Sequence, residues 1–156
     1  MIGRTKKIAA LFLFAIPGPL FADSGTFEHI HCYSGSPQTL KHSEGNVVNA
    51  VMIRGTLRAT TPGQIFDNMS TQCVGIFGQA QGNTFSQGFC EFFDNDADRI
   101  LVRYQRQGTE GTFQTVSGLG KYQGLTLDAT YSLMRFPQTA GSLQGCAQNK
   151  GRWERK

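Results

Sequence analysis

The chain has 156 residues, 39% of them hydrophobic and 17% charged, with a formal net charge of +4. That length fits one domain with a sizeable core. Setting aside residues 1–22 removes three of the fifteen basic residues and none of the eleven acids, leaving +1. So small an excess excludes a strongly basic nucleic-acid-binding face.

In chain order, the first feature is "MIGRTKKIAALFLFAIPGPLFADSG". Arg4, Lys6 and Lys7 precede an apolar run that ends at Pro17-Gly18-Pro19, the form of a secretory signal with cleavage expected after Ala22. The run falls short of the roughly 20 apolar residues needed to span a bilayer. The expectation is therefore a signal peptide over 1–22 and a secreted or periplasmic domain over 23–156, with no stable membrane insertion. Four cysteines, Cys32, Cys73, Cys90 and Cys146, then enter an oxidising compartment, where an even number points to two disulfides among three pairings.

Beyond residue 23 helical periodicity is scarce, and short alternating runs are punctuated by Gly, Pro, Asn and Asp. Strands are expected near 26–34, 46–58, 70–79, 84–93, 98–106, 110–117, 125–136 and 142–149, an all-β chain. The longest connection is "RATTPGQIFDNMS", and the tail "KGRWERK" reads as a solvated terminus.

The first strand, "FEHIHCY", places His29 and His31 two residues apart and so on one face, together with Phe27 and Tyr33. Neutral imidazoles at that spacing suit a metal on a sheet, but a site needs a third ligand, and the cysteines are assigned to disulfides. The alternatives are a partly exposed polar face, or His29, His31 and Tyr33 at a barrel mouth as polar groups orienting a ligand.

The segment "CVGIFGQAQGNTFSQGFC" has its midpoint between Gln81 and Gly82 when Cys73 faces Cys90. Val74 then faces Phe89, and Gly75 faces Gly88. Sorting of this kind pins register, and directly opposed β-carbons lie within disulfide reach, so Cys73–Cys90 is the favoured bridge. Cys32 and Cys146 remain near the two ends of the sheet and pair if it closes on itself. Glycines inside the hairpin suit the corners of a small barrel. The apolar pair Val74 and Phe89 is expected to face inward, which carries Glu91 inward on the same strand face. A carboxylate there would have a raised pKa and serve as a general acid or base, unless a bulge after Cys90 turns it outward.

"DNDADR", Asp94 to Arg99, alternates carboxylates, but Arg99 stands where a calcium loop of the EF-hand type needs glycine and Gln105 where it needs Glu. An inter-strand turn is the simpler reading, with a looser calcium site on Asp94, Asp96 and Asp98 as its competitor. "SGLGKYQG" superficially resembles a phosphate loop. It lies between two alternating strand patterns, and Tyr122 follows Lys121 where Ser or Thr is required, so it reads as a turn. No metal and no cofactor are expected.

The stretch from Cys73 to Tyr131, and above all "TFQTVSGLGKYQGLT", resembles the bacterial secreted branch of the allene-oxide-cyclase-like barrel proteins, related in fold to plant dirigent proteins. Asp96-Ala97-Asp98 departs from the Asp-Gly-Asp turn common in that family. The resemblance implies an eight-stranded, calycin- or dirigent-like barrel with a mostly apolar lumen. The leading functional expectation is binding of a small hydrophobic molecule. Alternatives are a cyclase or isomerase acting on a lipid-like or phenolic substrate, with Glu91 as its catalytic candidate, and a non-enzymatic envelope protein.

Overall fold

A computed structural model describes residues 23–134, 136–137 and 141–156; the expected signal segment, 1–22, lies outside the described residues. Eight strands follow one another: β1 Asp23–Ser43, β2 Asn46–Ala59, β3 Met69–Ala80, β4 Asn83–Phe93, β5 Arg99–Gln107, β6 Glu110–Leu119, β7 Leu125–Met134 and β8 Leu143–Arg155. Each pairs antiparallel with the next, and β8 returns to pair with β1, closing the barrel. Closure gives every strand a neighbour on both sides, which removes the free edge strands of an open sheet.

The hairpin register is the one its sequence demands: Cys73 opposes Cys90, Val74 opposes Phe89 and Gly75 opposes Gly88. Gln81 and Gly82 both adopt positive φ, 51° and 82°, as a two-residue hairpin turn that matches strand twist requires. Two disulfides are present, Cys73–Cys90 and Cys32–Cys146. The second joins residues 114 apart in sequence across the seam between β1 and β8.

The face of the hairpin is the reverse of the sequence expectation. Cys73 and Cys90 are buried, whereas Val74 and Phe89 are 47% and 44% exposed. The reason is space. A small barrel has little room between facing strands, and the inward positions Gly75 and Gly88 are where the Tyr104 hydroxyl from β5 comes to rest, occupying the volume a β-carbon would need. Small residues therefore line the inside at this level, and Val74 and Phe89 point out.

Two strands run further than expected. β1 begins at Asp23 and extends to Ser43, and β8 continues through the tail to Arg155. The tail is not a solvated end: Trp153 pairs with Gly25 on one side and Leu127 on the other, and packs on the core. Residues 60–68, which link β2 to β3, fold back over one end. Phe66 is buried there, edge-on to Phe27 and stacked on Tyr122. With Leu57, Met69, Ile100 and Leu125, these rings fill that half of the barrel.

The same end carries the β4–β5 and β6–β7 turns. The segment read as a turn rather than a phosphate loop is a single 3₁₀ turn, Gly120–Tyr122. Lys121 Nζ lies 2.6 Å from Asp94 Oδ2, and the Tyr122 hydroxyl donates to the same oxygen at 3.1 Å. Asp94 Oδ1 accepts from the backbone N–H groups of Asp96 and Asp98. Burial raises the Asp94 pKa, but these donors outweigh it and the net shift is downward. Asp94 Oδ2 thus joins the two turns, while Oδ1 braces the β4–β5 turn itself.

Candidate functional site in the barrel lumen

Strand alternation sends one residue in two inward, and closure converts those residues into a lumen. The end occupied by Phe66 and Tyr122 is filled. Toward the opposite end, where the β1–β2, β3–β4 and β5–β6 hairpins turn, a cavity of about 150 Å³ remains. Its wall is apolar where Ile53, Phe77, Phe92, Val102 and Phe113 contribute, and polar at His31, Tyr33, Tyr104, Arg106, Tyr131 and Asn149.

His29, His31 and Tyr33 all point into the barrel but occupy different depths. His29 is 1% exposed, stacked on Phe27 with ring centroids 5.2 Å apart, and flanked by Phe66 and Phe113. Neither of its ring nitrogens has a hydrogen-bond partner. Burial, with a smaller contribution from His31, lowers its pKa to about 3. His31, one step nearer the cavity, exchanges a 2.8 Å hydrogen bond between Nε2 and Thr71 Oγ1, and burial lowers its pKa to about 4. Both imidazoles are therefore neutral at pH 7. Only His31 and Tyr33 of this set line the cavity. His42 is exposed elsewhere, and among the described residues no group of three or more His, Cys, Asp or Glu is placed to hold a metal ion.

Three phenols come from three strands: Tyr33 on β1, Tyr104 on β5 and Tyr131 on β7. The Tyr104 and Tyr131 rings meet edge to face at 6.4 Å. The Tyr131 hydroxyl lies 3.3 Å from Ser86 Oγ. Burial, reinforced by Tyr131 and Tyr33, pushes Tyr104 up to about 12. Burial likewise raises Tyr33 and Tyr131, although Arg106 offsets part of the rise in each. All three remain protonated at neutral pH and present hydroxyl groups to the lumen.

Glu91 is not among these residues. It pairs regularly with Gln72 and Leu101, with no bulge after Cys90, and faces outward because the whole Val74–Phe89 face does. Its side chain is 39% exposed and lies 3.4 Å from Arg99. The inward carboxylate expected from the sequence is corrected accordingly. Of the disulfides, Cys90 borders the cavity, whereas Cys32 lies on the outer surface.

Tyr104, Arg106, Tyr131 and Asn149 are not among the site residues expected from the sequence, yet alternation marks them. Counting in twos from a lumen-facing Cys90 and carrying parity across the register leads to Tyr104 opposite Gly88. On β5 the inward series is Ile100, Val102, Tyr104, Arg106; on β7 it is Leu125, Leu127, Ala129, Tyr131, Leu133.

No protein-family model and no curated protein matches the chain. Among solved structures it is similar to two pterocarpan synthase dirigent proteins. The first, GePTS1, aligns with a TM-score of 0.53 at 13% identity over 94% of this chain and 99% of that one. The second, PsPTS1, aligns with a TM-score of 0.51 at 14% identity over 86% and 97%. At such identities the likeness is one of fold: the chain is a closed, eight-stranded antiparallel barrel of the dirigent type.

Proposed function

We propose that this protein binds a small, largely hydrophobic molecule in its lumen, as an exported member of the allene-oxide-cyclase-like branch of the dirigent fold. The observation that carries the reading is the cavity of about 150 Å³, walled by apolar and aromatic side chains with a few phenol, imidazole and amide groups. Binding sites have this composition, apolar walls with sparse polar groups that set orientation. Its volume is that of a void which holds a benzene-sized molecule, and lies below the roughly 300 Å³ at which drug-sized pockets begin. The ligand class is thus one ring, or the end of a longer molecule. Two disulfides fit an oxidising compartment, and among the described residues no helix is long and apolar enough to cross a membrane.

A second reading is catalysis by confinement, in which the lumen holds a reactive phenolic substrate in a cyclisation-ready shape. Fold similarity to proteins named as pterocarpan synthases favours it. With Glu91 outside, the groups left to move a proton are His31 and the hydroxyls of Tyr104 and Tyr131. Native mass spectrometry of the protein purified after export tests the main reading. A co-purifying molecule of one or two rings, lost on mild denaturation, supports it, and a uniformly empty barrel that takes up no single-ring compound counts against it.

A further inference from the structure

We propose that Arg106 makes the mouth of the lumen a carboxylate site, so that the ligand is a single-ring aromatic acid with its ring in the cavity and its carboxylate on the guanidinium. The inference rests on the reading of the lumen as a binding site and specifies its ligand.

Arg106 is an anomaly in its series. It follows Ile100, Val102 and Tyr104 at the inward positions of β5, and of the seventeen residues lining the cavity it is the only one with an ionised side chain. None of those residues is Asp or Glu. The ion pairs among the described residues, Arg99–Glu91, Lys121 with Asp94 and Asp96, and Arg155–Asp23, involve other cations. A charge partly removed from water is costly without a counter-charge, and here the described residues that line the cavity supply none.

Its hydrogen-bonding capacity is also incompletely used. The guanidinium has five N–H donors and no acceptor. Nη1 donates to the Gly108 carbonyl. Nε is buried without a partner. A buried orphan donor on a charged group calls for an explanation. Around it the groups are neutral and rich in donors: three protonated phenols and the Ser86 hydroxyl. A positive charge with surplus donors, at the rim of an apolar cavity of one-ring size, is complementary to an amphiphile with an anionic end. The planar fork of arginine matches a carboxylate in particular, by two parallel hydrogen bonds.

The test compares benzoate with benzyl alcohol, which keeps the ring and removes the charge, by calorimetric titration of the intact protein. Charge-assisted hydrogen bonds contribute enough for benzoate to bind about tenfold tighter or more. Arg106→Gln should abolish that preference, bringing the benzoate-to-benzyl-alcohol affinity ratio to about one, and Arg106→Lys should retain part of it by keeping the charge without the fork. Should Arg106→Gln fail to fold, the partial loss in Arg106→Lys carries the test. Equal binding of both probes by the wild-type protein, or an undiminished benzoate preference in the variants, overturns the carboxylate site while leaving the lumen reading in place. Uptake of neither probe by the wild-type protein overturns both.

Discussion

Lys121 Nζ sits 2.6 Å from Asp94 Oδ2 and so joins the β6–β7 turn to the β4–β5 turn at the filled end of the barrel. The lysine that gives "GLGK" its nucleotide-site appearance is held by a carboxylate of its own chain. Half-exposed ion pairs of this kind contribute about 0.2 to 1 kcal/mol, so Lys121→Ala is expected to lower stability by no more than that. Gly120 in the same turn has φ +63°, and a β-carbon there would collide with the Asp98 carboxylate. Gly120→Val should therefore cost more, about 1 to 3 kcal/mol, and thermal melts of the two variants check the order.

The two bridges should differ in both strength and access. Cys32–Cys146 spans 114 residues and Cys73–Cys90 spans 17. In the chain-entropy account a loop near 100 residues is stabilised by about 4.7 kcal/mol and one near 15 by about 3. Removal of Cys32–Cys146 by double serine substitution should be the more damaging. Because Cys32 is exposed and Cys73 is buried, limited reduction followed by alkylation and peptide mapping should label Cys32 and Cys146 first.

Acid should weaken the fold well above the range where carboxylates titrate. His29 and His31 fall from 6.5 to about 3 and about 4 in the folded protein. Between those values and 6.5 the unfolded chain binds protons that the folded chain does not, so stability decreases as pH falls through that window. At pH 5 the loss is about 2 kcal/mol for each histidine. His29→Leu removes one contribution and a pair of unsatisfied nitrogens, and should flatten the dependence of melting temperature on pH between 7 and 4.5.

Glu91 should be dispensable for the lumen. It is paired with Arg99 on the outer face, and Glu91→Gln is expected to change stability by less than about 0.5 kcal/mol and to leave small-molecule binding unaltered in parallel titrations.

Much of the barrel was legible because its register is encoded in pairs. Cys73 with Cys90 located the hairpin turn at Gln81-Gly82, and leaving Cys32 and Cys146 for the two ends implied closure. The inside of the hairpin was not legible from hydrophobicity, since Val74 and Phe89 are more apolar than the glycines and cysteines that replace them inside. That inversion comes from Tyr104, which reaches over Gly75 and Gly88 from the next strand, a tertiary demand that no local pattern carries. Glu91 was misplaced by the same step. His31 and Tyr33 were visible as a polar face on β1, while Phe66 was hidden in a connection whose Pro, Gly, Asn and Asp content says only that it turns.

If the lumen is a binding cavity, filling it should abolish uptake. Ala147 is buried and forms part of its wall, opposite His31 on β1 and Leu133 on β7. Calorimetric titration of the wild-type protein and of Ala147→Phe with phenol, once peptide mapping and far-UV spectra show both disulfides and the barrel intact, measures whether that space is used. Saturable one-to-one binding by the wild-type protein, lost in Ala147→Phe, is expected of a lumen that holds a ligand. Equal uptake by both proteins, or none by the wild-type, would contradict it.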